Sequence, residues 1–150
     1  MIYYRNDVRR SGVNGRALVA TARRLLDVAG ERRSALSLTL VNDEAIRSLN
    51  RDYRGKDRAT DVLSFALDGD GQVPAERLLG DVVISVDTAR RQAAGYDASL
   101  QRELYRLLIH GILHLLGHDH EAANERRIME CEERKLADAI ALPWPYSNQG

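Results

Sequence analysis

Residues 110–120 read His110-Gly111-Ile112-Leu113-His114-Leu115-Leu116-Gly117-His118-Asp119-His120, and they hold all four histidines of the 150-residue chain. His110 and His114 are four residues apart, so on a helix their Cβ atoms lie roughly 5–6 Å apart on one face. Two imidazoles placed in this way can reach one ion at about 2.0–2.1 Å from each nitrogen. Leu104, Leu107, Leu108, Ile109, Ile112, Leu113, Leu115 and Leu116 make the surrounding segment apolar almost all round, the pattern of a helix that crosses a core. An imidazole in that setting needs a partner, and a metal supplies one. Gly117 can enter the left-handed region and end the helix, which gives His120 the reach to act as third ligand from beyond the turn. His118, at i+4 from His114, is the alternative third ligand. Asp119 between them can orient a ligating imidazole or hold a water. Gly111 in mid-helix costs about 1 kcal/mol relative to alanine, so a strand or a substrate backbone is expected to pack closely against it.

Three nitrogen ligands leave one tetrahedral position for water, which marks a catalytic zinc more often than a structural one. Cys131, the single cysteine, is the alternative closing ligand. In His-Glu-x-x-His peptidases the residue after the first histidine is the glutamate that acts as general base. Here it is Gly111, which weakens a peptidase reading. A zinc-bound water with its pKa lowered toward ~7 remains a nucleophile without that glutamate. Three imidazoles also bind other divalent ions.

Working outward from this segment, residues 99–116 form the histidine helix, capped by Ser99. Residues 121–141 form a last helix, ended by Pro143 and Pro145. Upstream, the pattern predicts a strand over 2–8, a turn over 11–15, and a helix from Asn14 to about residue 28 that stops at Gly30. Leu36, Leu38 and Leu40 alternate with Ser37 and Thr39 as in a strand over 35–41. Asn42 or Asp43 then caps a short helix holding Ala45, Ile46 and Leu49. Residues 51–61 read as a charged loop. Residues 62–67 and 82–86 read as strands, joined by the turn Asp68-Gly69-Asp70-Gly71 and a long loop reaching Leu79. Gln72 and Val73 exclude an EF-hand there. Asp87 opens another helix that stops near Gly95. The expected class is α+β: a small mixed sheet of about four strands covered by about five helices, with the metal site on a buried helix and the turn after it.

Length and composition agree with one domain over residues 1–150. With 44% hydrophobic and 29% charged residues, the chain can bury a core. No apolar run approaches the eighteen or so residues of a membrane span, and the first ten residues carry no apolar signal core. One cysteine makes no internal disulfide, so a cytoplasmic location is expected. Net charge is zero, yet residues 1–67 carry +5 and residues 68–150 carry −5. Of the 22 basic side chains, 20 are arginine, whose planar fork suits phosphate, although codon preference alone produces the same bias.

The pattern His110-Gly-x-x-His114-x-x-Gly117-x-Asp119-His120 resembles the signature of the YbeY family, bacterial endoribonucleases also called rRNA maturation factors. Residues 53–65, Tyr-Arg-Gly-Lys-Asp-Arg-Ala-Thr-Asp-Val-Leu-Ser-Phe, resemble that family's loop-and-strand motif, and residues 79–85, Leu-Gly-Asp-Val-Val-Ile-Ser, resemble its Gly-Asp-Ile-x-Ile-Ser strand. The family often has proline where this chain has Ala59 and Ala66, and asparagine where it has Asp61. The resemblance implies zinc held by His110, His114 and His120, and single-strand-specific RNA cleavage in 16S rRNA 3′-end maturation and ribosome quality control. It carries a functional arginine onto Arg54, which would neutralise charge building on the phosphate. Arg51, Lys56 and Arg58 would then guide the backbone of a single-stranded RNA such as the 16S rRNA precursor by charge. Ribosome or small-subunit proteins are the expected partners, and neither DNA nor a membrane is. Tyr53 and Phe65 are the nearest aromatic residues, with Phe65 read as core, so base specificity is expected to be weak. Two rival readings are another zinc hydrolase, peptidase or amidase, and a non-enzymatic assembly factor in which zinc only ties the helix to its loop.

Overall fold

The structure is a computed structural model and describes residues 1–67, 77–119 and 121–143. Among these residues the chain forms β1 (Ile2–Asn6), α1 (Gly15–Val28), β2 (Ser34–Val41), α2 (Asp43–Arg54), β3 (Val62–Ala66), β4 (Arg77–Ser85), α3 (Val86–Gly95), α4 (Leu100–Leu115) and α5 (Ala123–Ala139). The sheet order is β1-β2-β4-β3. β1 pairs parallel with β2 and β2 with β4, whereas β3 runs antiparallel to β4. The class is the expected one, α+β around a four-stranded mixed sheet.

Strand alternation sorts the side chains onto two unequal faces. Leu36, Leu38, Leu40, Val82 and Ile84 face the main core, where they meet Leu18 and Leu25 of α1, Leu104, Leu108 and Ile112 of α4, and Met129 and Leu136 of α5. Val41, Leu63 and Val83 face the other way and are covered by Ile46 of α2. α4 is therefore enclosed by the sheet and its neighbouring helices, and among the described residues α2 is the helix that covers the opposite face. Full burial of each aliphatic side chain contributes about 1.5–3 kcal/mol, so most of the apolar stabilisation sits on the α4 side.

Polar caps fix the helix starts. The side chains of Asn14, Asn42 and Ser99 accept the main-chain N–H groups of Ala17, Ala45 and Arg102, each satisfying a donor the first turn leaves open. α3 begins one residue earlier than expected, because Ser85 at the end of β4 caps it through Thr88 N–H. α5 starts at Ala123, with no side-chain cap, and ends at Ala139, two residues inside each expected boundary.

Two elements are longer than the sequence pattern predicts. α2 continues to Arg54 and is closed by Gly55 at φ 69°, so residues 51–54 are helix and not loop. Their polarity hides the helix because they form its exposed end, while Ile46 and Asn50 carry the buried stripe. β4 begins at Arg77, inside the expected loop. A register shift opposite Ala35 and Ser37 interrupts the alternation there, which conceals the strand's first half. The expected turn over residues 68–71 lies outside the described residues.

Candidate metal centre and its cleft

A cleft of about 530 Å³ opens between α4, the outer edge of β3 and the C-terminal end of α2. His110, His114 and Asp119 line one side, Arg54 and Lys56 the other, with Asp61 and Ser64 between them. The structure thus gathers His110, His114, Asp119, Arg54 and Lys56 of the residues singled out from sequence around one cleft. Arg58 lines an adjoining groove of about 340 Å³ that shares Arg54, Lys56 and Thr60. His120 lies outside the described residues.

The histidine wall follows from helical geometry. His110 and His114 share a face of α4, their ring centroids are 4.5 Å apart, and their Nε2 atoms are 3.0 Å apart. Two nitrogens bound tetrahedrally to one zinc stand about 3.3 Å apart, so this pair fits a common ion with only a small opening. Among the described residues no third His, Cys, Asp or Glu completes a metal-ready group. On its other side, His110 Nδ1 lies 3.3 Å from Oε2 of Glu133 on α5.

The turn after α4 has the expected geometry. Gly117, at φ 96°, donates its N–H to His114 O, and His118 N–H reaches Leu113 O, each at 3.0 Å. This paired bonding is a Schellman closure, and its left-handed position suits glycine. His118 leaves the turn toward a separate pocket lined by Val28, Leu113, Leu116, Glu132 and Leu136, away from the cleft. Cys131 is free and exposed on α5.

Gly111 supplies the close approach that its position suggested. A Cβ there would come within 2.8 and 3.1 Å of the Val82 methyls and 3.3 Å of Ser64 Oγ. The neighbour is the sheet, with β4 pressed on the helix backbone. Ser64 Oγ donates to Gly111 O at 3.2 Å, which ties β3 to the centre of the histidine helix.

The arginine wall is held by main-chain geometry at the sheet edge. Ser85 N–H bonds Asp61 O and Leu67 N–H bonds Leu79 O. With the register of β3 and β4, residues 61, 63, 65 and 67 therefore face β4, and the main-chain groups of Val62, Ser64 and Ala66 face the open edge. Arg54 Nη2 donates to the outward Ser64 O at 2.7 Å, and its guanidinium carbon lies 5.5 Å from the Phe65 ring centroid. Tyr53 meets the same ring edge-on at 5.4 Å. Phe65 is half-buried against the smaller core, and Tyr53 is exposed.

The segment after α2 is clamped from several sides. Arg47 pairs with Asp57 through two bonds of 2.9 and 3.3 Å, and this contact holds the Asp57 carboxyl below its usual range. The buried Asn50 amide donates to Arg58 O. Asp61 accepts Val62 N–H at 2.7 Å and the Gln92 amide at 3.2 Å. Arg51 pairs with its neighbour Asp52 and does not line the cleft. The other end of α2 is fastened by Asp43. Burial pushes that carboxyl up, but hydrogen bonds from Ser85, Thr88 and Arg91 outweigh it and hold the group below its usual value.

Glu133 is the residue that sequence reasoning missed. Its signal was present: it falls four after Met129 and three before Leu136, the two buried large side chains of α5, so a carboxylate interrupts an apolar stripe.

Residues 4–141 match the family described as Endoribonuclease YbeY. A relative of that name from Moorella thermoacetica is 47% identical over 142 residues, covering 85% of this chain and 90% of the relative. Another from Myxococcus xanthus is 57% identical over 102 residues, covering 67% of this chain and 35% of that longer relative. A solution structure of a Thermotoga maritima protein superposes with TM-score 0.59 at 24% identity, covering 94% of this chain and 92% of that one; this likeness shows the fold.

Proposed function

The chain belongs to the endoribonuclease YbeY family, and from that membership we propose that it hydrolyses single-stranded RNA in the cleft between α4 and α2. The observation that carries the reading is the pairing of two convergent imidazoles, Nε2 to Nε2 at 3.0 Å, with Arg54 in one open cleft. His110 and His114, joined by His120, are the residues that would hold a divalent ion, zinc in the first instance. A zinc ion bound there supplies Lewis-acid chemistry, lowering the pKa of water toward ~7 and polarising a phosphoryl oxygen.

The chain's own groups divide the remaining work. Arg54, already extended along β3 by its bond to Ser64 O, offers its remaining donors to a phosphate and offsets the charge that builds as phosphorus is attacked. Lys56 in the cleft and Arg58 in the adjoining groove extend this positive surface along the path of a strand and guide its phosphates without reading bases. Asp119 at the cleft wall takes the proton released by the attacking water. The open cleft admits a flexible strand one phosphate at a time, which favours single-stranded over duplex RNA. The biological setting we propose is maturation of the 16S rRNA 3′ end and ribosome quality control in the cytoplasm, with ribosomal or small-subunit proteins as partners. Family membership supports this setting.

The test is cleavage of an end-labelled single-stranded RNA and of the same sequence in a duplex, by wild type, His114→Ala and Arg54→Ala. Wild type should cut the single strand in preference, and both variants should be severely impaired. Undiminished RNA cleavage by His114→Ala, or cleavage of peptides with RNA untouched, would overturn the reading.

A further inference from the structure

We infer that Glu133 is a positioning residue for the metal centre, fixing the tautomer and the ring angle of His110; this rests on the metal reading above. His110 sits on α4 with Nε2 turned to His114 and Nδ1 turned to the Glu133 carboxylate, 3.0 and 3.3 Å away respectively. A neutral imidazole carries one proton, and its location decides which nitrogen has a lone pair for an ion. The Glu133 carboxylate can only accept, so it draws that proton to Nδ1. Nε2 is then left as the acceptor, facing the cleft. The His114 contact agrees, because His114 Nε2–H can donate to His110 Nε2 in the metal-free protein. A carboxylate behind a ligating imidazole also raises the basicity of the ligand.

The surroundings make this more than an incidental contact. The Glu133 side chain is 14% exposed and that of His110 26%. Glu133 shares the apolar stripe of α5 with Met129 and Leu136, where a carboxylate is costly unless it has a specific partner. The two side chains join α5 to α4 at the level of the cleft, so the last helix takes part in the site although it contributes no residue to the arginine wall.

The test compares wild type, Glu133→Ala and Glu133→Gln in two measurements that do not need activity. The first is zinc affinity, by competition with a chromophoric chelator. The second is the tautomer of His110 in the metal-free protein near pH 8, from long-range proton–nitrogen correlation spectra. Wild type should show the Nδ1–H form. The alanine variant should lose ~10–100-fold in zinc affinity and move toward the Nε2–H form. The glutamine variant, whose amide oxygen still accepts from Nδ1–H, should keep the tautomer and lose less affinity. Equal zinc affinity and an unchanged tautomer in the alanine variant would overturn the inference. If the alanine variant does not fold, the glutamine variant decides: a loss of the Nδ1–H tautomer there overturns it. A wild type that binds no zinc would overturn the metal reading and this inference together, whereas zinc-loaded wild type with indifferent variants would overturn this inference alone.

Discussion

His110 and His114 stand on a helix enclosed by the sheet and its neighbouring helices, with a carboxylate behind one ring and β4 pressed against the backbone between them. Arg54, across the same cleft, stands on the exposed end of the helix that covers the sheet's other face, and one hydrogen bond and the Phe65 ring beneath its guanidinium hold it. The walls differ in what their proposed ligands, a divalent ion and a phosphate, would demand. An ion tolerates little misplacement of its ligands and needs them desolvated and fixed. A phosphate is large and charged, is recognised over a longer range, and must be able to enter and leave. Ser64 joins the two walls, since its hydroxyl binds Gly111 O on the histidine helix and its carbonyl accepts from Arg54. One residue on an edge strand thus bonds to both walls.

Removing a ligand breaks the histidine wall most completely. His114→Ala should eliminate metal binding and reduce RNA cleavage to background while the far-ultraviolet circular dichroism stays native, since His114 lies at the cleft surface of α4 and outside its apolar packing. On the opposite wall, Arg54→Ala should lower cleavage by roughly 10²–10³-fold, as loss of one charge-stabilising donor does. Its thermal unfolding should stay within about 1 kcal/mol of wild type, because its contacts are exposed. A large loss of stability instead would mean that Arg54 is a structural strut and that the walls are not so unlike.

Gly111→Ala probes the rigid side without touching a ligand. The new Cβ would meet the fully buried Val82 at 2.8 and 3.1 Å, and β-branched Val82 has little rotamer freedom with which to yield. A net destabilisation of about 1–3 kcal/mol is expected, read as a lower melting temperature, despite alanine's better helix propensity. An unchanged or higher melting temperature would show that the strand gives way and that the histidine wall is softer than described.

Arg58→Ala tests the outer groove. It should weaken binding of single-stranded RNA only a few-fold, equally for all sequences, and reduce the salt dependence of binding by about one unit of slope. The smallest effect belongs to the sheet edge. Ala66 turns its N–H away from β4, so Ala66→Pro removes no ladder bond and should change stability by less than about 1 kcal/mol in either direction. A larger loss would mean that this edge is not open.

Much of this organisation can be read in the sequence, and the exceptions have physical causes. The histidine helix is legible because its signals are local: i, i+4 spacing, a near-continuous apolar surface, a serine cap and a glycine stop. The sheet is legible where Leu36, Leu38 and Leu40 alternate with polar residues, and less so in β4, where a register shift breaks the period. The end of α2 is illegible because residues 51–54 are polar on every side, and only the left-handed Gly55 marks where the helix stops. Glu133 could not be assigned a partner because its contact crosses 23 residues of sequence, and such pairings are decided by helix packing. The same holds for Ser64, whose two bonds reach α2 and α4 at once.

The most direct test of a built metal site is the metal content of tag-free protein by elemental mass spectrometry, with wild type and His114→Ala purified side by side. About one zinc or other divalent ion per wild-type chain is expected, and essentially none in the folded variant. Metal-free wild type, or equal metal in both proteins, would contradict the metal reading and return the two histidines to the packing of α4.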